Sequence, residues 1–417
     1  MATTCVKSLI PEKITCAQGW LVPAFAAFIP VSITGSQTCL ALLLLIAAYR
    51  FVKTGRRKWG FMDFALTGFL AWSALTAATS IHPEISLLRL PRLWVHLTWF
   101  ALMAATLDRR MIVRSCRAIS ITAALMGVYG LAQHWWGPTA PRVLAPPVRL
   151  WQPTGGYFHA VGMYDHHLTF GNMMSLVFCV TLGLVFSSQG RNRLIAAAAA
   201  FAIFLGIVFS YARSAWIGLV AGLALFAYLK GRRIFVATAA AGAVVLMLAL
   251  GVSPSLRERF SSSFNSAQNL ERLYIWKTSL AMAADHPFVG IGPGVYRQVV
   301  EGYREGYNIR WTTASHAHNS FIMVAAESGW PALALFLALL AAALWGPGAR
   351  LRHLDASSVD FSLLAALLSG MAGFAFSSFF QHNFGDAEVV TTFWFIVATA
   401  AGAARLSTTD QEKRAFT

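Results

Sequence analysis

The chain alternates long apolar runs with short polar clusters, as at residues 38–52 and 233–252, and each run approaches the roughly 20 apolar residues that carry a helix across about 30 Å of hydrocarbon. Twelve spans are predicted, near 20–34, 38–53, 61–80, 90–107, 111–133, 168–188, 192–210, 213–230, 233–252, 318–346, 360–380 and 387–405. An even number of crossings puts both termini on one side. On that side every short loop carries Lys or Arg, among them Lys58, Arg110, Arg193, Arg232 and Arg352, and basic short loops stay in the cytoplasm. The expected architecture is all-α: a polytopic integral membrane protein of about 12 transmembrane helices, a single transmembrane domain over residues 1–417, with both termini cytoplasmic.

Two long connections, 133–167 and 253–317, then face the opposite side. Connections of such length in a compact fold imply function or secondary structure of their own. In the second, the apolar positions Leu270, Leu273, Tyr274, Leu280 and Ala284 recur at intervals near 3.6, with Glu271, Arg272 and Ser279 between them. This pattern predicts an amphipathic helix over 269–285 with Arg272 on its polar face. Pro287 ends it.

Composition supports the membrane reading and narrows it. Hydrophobic residues make up 57% of the chain and charged ones 12%, against about 25% in soluble domains. The net charge of +16 marks topology, because the basic residues form no interleaved aromatic and basic face for nucleic acid. The segment 1–19 closes on no small-residue cleavage pattern, so an uncleaved first helix is expected rather than a signal peptide. The five cysteines are odd in number and fall in the tail or near spans, which suggests packing and no disulfide framework.

Ionisable groups at membrane depth are expensive and are functional candidates for that reason. Arg213, in Ser210-Tyr211-Ala212-Arg213-Ser214-Ala215-Trp216, sits where two spans meet with almost no loop. It is either a ligand for an anion or an anchor snorkelling to headgroups. Arg272 is either a solvated surface charge or part of a site with Tyr274 and the turn Gly290-Ile291-Gly292-Pro293-Gly294, which allows close backbone approach to a ligand but also serves plain turn geometry. That turn is no nucleotide phosphate loop, since no Gly-Lys-Ser/Thr follows.

The sharpest motif is Ser315-His316-Ala317-His318-Asn319-Ser320. A catalytic zinc wants three protein ligands, and no third partner for His316 and His318 stands at a recognisable spacing, so no metal is expected. His318 instead precedes an outward-facing helix, whose positive pole disfavours imidazolium. A neutral imidazole is what a general base must be. A polar cap is its alternative role, which Asn319 or Ser320 could equally fill. For Glu327 a functional role and a structural partnership both stand open. Arg89, Arg92, Asp165, His166, His167, Asp386 and Glu388 are weaker candidates on the same side.

These residues resemble a known family. His318-Asn319, nine residues and Gly329 are similar to the signature of the O-antigen ligases, and Tyr211-Ala212-Arg213-Ser214-Ala215-Trp216-Ile217-Gly218 to the arginine motif of the ligase and polymerase superfamily, as is Pro287 through Gly294. Ala332 stands where the ligase signature has Gly, Thr or Tyr. The resemblance is specific over 210–336. It implies a GT-C-like glycosyltransferase of a bacterial inner membrane with its active site facing the periplasm, acting in lipopolysaccharide synthesis without cofactor or metal. Its donor would be O-antigen on undecaprenyl diphosphate and its acceptor lipid A-core, with inversion at the anomeric carbon. Such chemistry needs a base for the acceptor hydroxyl and cations for the departing diphosphate. His318 would be the base, Arg213 and Arg272 would hold the diphosphate, and His316, Asn319, Tyr274, Glu327, Arg89 and His167 would support them. The carrier's chain would lie in membrane lipid.

The alternatives are an O-antigen polymerase or a protein O-oligosaccharyltransferase of the same superfamily, the latter disfavoured because no large domain follows Arg405. A lipid-linked glycan transporter would place its ionisable residues near mid-span in two mirrored halves. The candidates gather at one face instead.

Overall fold

The computed structural model describes residues 12–55, 58–105, 107–137, 158–252, 254–262, 266–306 and 315–415. Among these there is no strand. The helices are α1 (Glu12–Phe28), α2 (Ile33–Thr54), α3 (Phe61–Ala78), α4 (Pro83–Leu87), α5 (Thr98–Ala104), α6 (Arg109–Trp136), α7 (His167–Ser187), α8 (Gly190–Phe209), α9 (Arg213–Lys230), α10 (Arg232–Val252), α11 (Pro254–Ser261), α12 (Ser266–Asp285), α13 (Tyr296–Gly306), α14 (Ser320–Leu351), α15 (Val359–Ser377) and α16 (Ala387–Ala415). Nine of them are long and apolar enough to cross a membrane among the described residues, and the chain is a polytopic membrane protein.

Three predicted spans differ in detail. The first two lie nearer the N-terminus than expected, because Ser32 accepts a hydrogen bond from the Gly35 amide at 3.0 Å and caps α2. The polar run Thr34–Thr38 is thus the first turn of a helix rather than a loop. The span expected over 90–107 is a 3-10 helix, Leu90–Leu97, followed by the seven residues of α5. Arg56 and Arg57, and the stretch 138–157 of the first long connection, lie outside the described residues.

Helices α7, α15 and α16 are buried over most of their length and form the centre. Helix α10 packs on α9 and leaves Phe235, Val236, Val244, Met247 and Leu248 exposed, an apolar surface that water does not tolerate but lipid does. At the crossing of α9 and α15, Gly218 and Gly222 share a face one turn apart and bring the backbones together. A Cβ on Gly222 would stand 2.9 Å from the Ser369 carbonyl oxygen and 3.1 Å from Cys179 Sγ.

The connection 253–317 holds α11, α12 and α13. The predicted amphipathic helix exists as α12, yet its stripe Leu270, Leu273, Tyr274 and Leu280 is exposed, while Thr278, Ser279, Met282 and Ala283 are buried. The helix turns its polar side, with half-buried Arg272, toward the protein.

Helix α14 breaks at Gly329, whose φ of 80° interrupts the helical path ahead of Pro331. The break frees three successive carbonyls, and each is claimed. Ala326 O accepts from the Ile291 amide at 2.9 Å, Glu327 O from Gly292 at 2.9 Å, and Ser328 O from Trp72 Nε1 at 3.0 Å. The Trp330 amide in turn donates to Pro287 O at 2.9 Å. Buried backbone groups must be paired, and a membrane helix can break only where neighbours supply the partners.

Overpacking a core contact costs roughly 1–3 kcal/mol. Gly222→Leu should therefore lower the thermal midpoint of the detergent-solubilised protein, while Gly242→Leu on α10, with nothing within 4 Å of its Cβ, should leave it unchanged.

Candidate active site

Of the expected site residues, Arg213, Arg272 and His318 lie where the turn between α8 and α9, helices α11 and α12 and the start of α14 meet. Two non-glycine residues among those described have positive φ, Tyr211 at 55° and His318 at 50°, and both lie here. Such conformations cost on the order of 1 kcal/mol and persist where the surroundings hold them. Tyr211 is held by burial, by stacking on His159 at 4.7 Å between ring centroids, and by its carbonyl, which accepts from Arg259 Nε at 3.1 Å. The turn it makes lets Arg213 open α9 with hardly a loop.

Arg213 is tied to protein. Its Nη1 donates to Ser262 O at 3.2 Å, at the end of α11, so Arg213 and Arg259 each bond the other's segment. Arg272 has no hydrogen-bond or ion-pair partner among the described residues, and Arg213 and Glu271 act on it electrostatically. Burial, then Arg213 and Arg272, push Arg259 down to about 10. Three guanidinium groups thus share one partly desolvated patch. Sequence reasoning missed Arg259; nothing in its spacing set it apart from Arg257, two positions earlier, which is exposed and bonds the carbonyls of Leu250 and Gly251.

Asn319, not His318, caps α14. Its side chain accepts from the amides of Phe321 at 2.9 Å and Ile322 at 3.1 Å. His318 is left half-buried beside it, with Nδ1 3.1 Å from Gln381 Oε1. Burial lowers its pKa below the usual imidazole value; Arg272 and His166 lower it further, while Gln381 and Glu271 oppose them. His316 lies 4.1 Å from His318 between ring centroids and 6.0 Å from His382, and burial holds these two neighbours at about 3 and about 4. The imidazoles are neutral at pH 7. Among the described residues no group of three His, Cys, Asp or Glu side chains converges as a metal would require.

The remaining candidates build the frame. His167 Nδ1 donates to Ser210 O at 2.7 Å and steadies the turn before Arg213. Glu327 Oε1 accepts from the Gly294 amide at 2.7 Å, and the Arg89 side chain lies against Gly294. Both serve the docking of the glycine turn, whose close backbone approach is to protein: a Cβ on Gly290 would strike Glu327, and one on Gly292 would strike Ser80. Tyr274 stands in the exposed stripe of α12, two residues and so about 200° around the helix from Arg272. Asp386 accepts from Thr169 Oγ1 at 3.0 Å near Glu388, and Arg92 is exposed. A cavity of about 850 Å³ lies among Tyr228, Trp345 and Arg352, at the far ends of α9 and α14 from Arg213 and His318, and is separate from this site.

A family model described as O-antigen ligase matches residues 198–337, a segment that contains Arg213, Arg259, Arg272 and His318 but neither Gln381 nor His166. No curated protein matches the chain.

Because a Cβ at residue 329 would drive into the Phe288 carbonyl and φ there is positive, Gly329→Ala should undock the 286–294 turn. Limited proteolysis should then cut that turn faster than in the unaltered protein, whereas Gly346→Ala, with nothing near its Cβ, should be cut no faster.

Proposed function

We propose that this chain, whose residues 198–337 match the O-antigen ligase family model, is an inverting glycosyltransferase that moves O-antigen from undecaprenyl diphosphate to lipid A-core on the periplasmic face of a bacterial inner membrane. The observation that carries the reading is the meeting of three guanidinium groups with a neutral, half-buried imidazole at the loop-rich end of a membrane bundle. Arginine forks match phosphate oxygens in pairs, and burial strengthens the attraction because water no longer screens it.

In this mechanism the carrier's diphosphate binds Arg272, Arg213 and Arg259. His318 Nε2 takes the proton from the acceptor hydroxyl as its oxygen attacks the anomeric carbon from the side opposite the diphosphate. The glycosidic C–O bond to phosphate breaks, and the electron pair leaves with the diphosphate into the field of the arginines. These side chains supply the charge that a divalent cation could supply. The exposed apolar stripe of α12 would rest against lipid and leave Arg272 facing the headgroup level, where a diphosphate on a buried isoprenoid must lie.

The test is reconstitution of the full chain in liposomes with undecaprenyl-diphosphate glycan and lipid A-core. Ligated product supports the reading; extension of the donor glycan instead would make the chain a polymerase, and absence of any covalent product would sink it. His318→Ala should abolish transfer while leaving the protein folded and inserted. Arg272→Ala should slow transfer by roughly 10²–10³-fold, the range seen when one transition-state donor is lost, and Arg272→Lys should restore part of it. Arg213→Ala should do the same and also loosen α11. Transfer should persist in EDTA. With the His318 imidazole held below its usual value, the rate should stay flat near neutrality and fall only as pH drops below about 6.5.

A further inference from the structure

A histidine that acts as a base must present a bare nitrogen, and the hydrogen bond made by the other nitrogen decides which one that is. His318 Nδ1 stands 3.1 Å from Gln381 Oε1, and an amide oxygen can only accept. Nδ1 therefore carries the proton, and the lone pair sits on Nε2. Gln381 is itself 5% exposed and has little freedom to turn away. It lies in the connection between α15 and α16, which the start of α14 grips at three points. The Ser320 amide donates to Ser378 O at 2.8 Å, the Ser320 hydroxyl donates to Gln381 O at 3.2 Å, and the Phe384 amide donates to that same hydroxyl at 3.3 Å. Asn319 satisfies the first amides of α14, so the His318 ring is not drawn into capping.

We propose that Gln381 is a positioning residue that locks His318 in the Nδ1-protonated tautomer and aims Nε2 at the acceptor, an inference that rests on His318 being the base. A carboxylate in the same place would orient the ring equally well but would stabilise imidazolium and spoil a base that must start neutral. A neutral amide orients without charging. The other groups that face His318 are His316 on its own segment, His382 beside Gln381, His166 ahead of α7, and Arg272 and Glu271 on α12. Of these, Arg272 and the neighbouring histidines oppose protonation, and Glu271 alone favours it.

The experiment uses the full chain with Gln381→Leu, Gln381→Glu and His318→Ala, and reads two quantities. The first is the tautomer of His318 by nitrogen chemical shifts of histidine-labelled protein, with the resonance assigned by its loss in His318→Ala. The second is the pH profile of transfer. The unaltered protein should show a bare Nε2, and Gln381→Leu should give a mixture of tautomers with transfer slowed roughly 10- to 100-fold at unchanged donor KM. Gln381→Glu should raise the acid limb of the profile by about one pH unit. A bare Nδ1 in the unaltered protein would overturn the proposal, as would Leu and Glu variants that lose activity equally with an unmoved acid limb. Full transfer by His318→Ala would instead remove the base assignment while leaving the tautomer measurement to stand on its own.

Discussion

A membrane helix that breaks must find partners for the carbonyls it frees, and most of this protein's loop-rich face follows from how α14 meets that demand. At Gly329 the freed oxygens are taken by two amides of the glycine turn and by the indole of Trp72. The turn can reach them only because it has no side chains at Gly290 and Gly292. Once docked, it holds the chain that follows the C-terminal end of α12, the helix that carries Arg272. The nine-residue interval between His318-Asn319 and Gly329 thus has a physical meaning. It is the length of helix between the cap that frees the imidazole and the break that seats the arginine helix.

The second organising force is electrostatic. Guanidinium groups drawn partly out of water repel one another, and the folded chain holds them together by tethering two of them to backbone oxygens of Tyr211 and Ser262. Burial, joined at His318 by Arg272, keeps the nearby imidazoles uncharged. An anion would relieve the repulsion and an uncharged base would tolerate it, so one arrangement suits both halves of the proposed transfer.

Most of the membrane spans were legible because burial in lipid demands continuous apolar runs, though the run over 90–107 folds as a 3-10 helix and a seven-residue helix instead; the arginine and histidine motifs were legible because charge at that depth stands out. The period of α12 was legible, but its orientation was not. Period tells that two faces differ, and only the identity of the surrounding solvent tells which face turns inward; here the apolar stripe through Leu270, Leu273 and Leu280 is the outer one. Glu327 looked ambiguous because its partner, the Gly294 amide, is a backbone group that no residue pattern announces. Gln381 was invisible for a related reason: a neutral residue in a short connection gains its role from a side chain 63 positions away.

Those long-distance contacts have a consequence for modularity. The stretch that carries the family signature, 198–337, draws its supports from elsewhere in the chain: an indole and a serine from the α3 corner, and an amide from the connection before α16. It is recognisable as a unit of sequence similarity, yet its contacts do not close within it. Excised, or spliced into a host bundle with a different third helix, it would keep every signature residue and lose the scaffold that gives them their geometry.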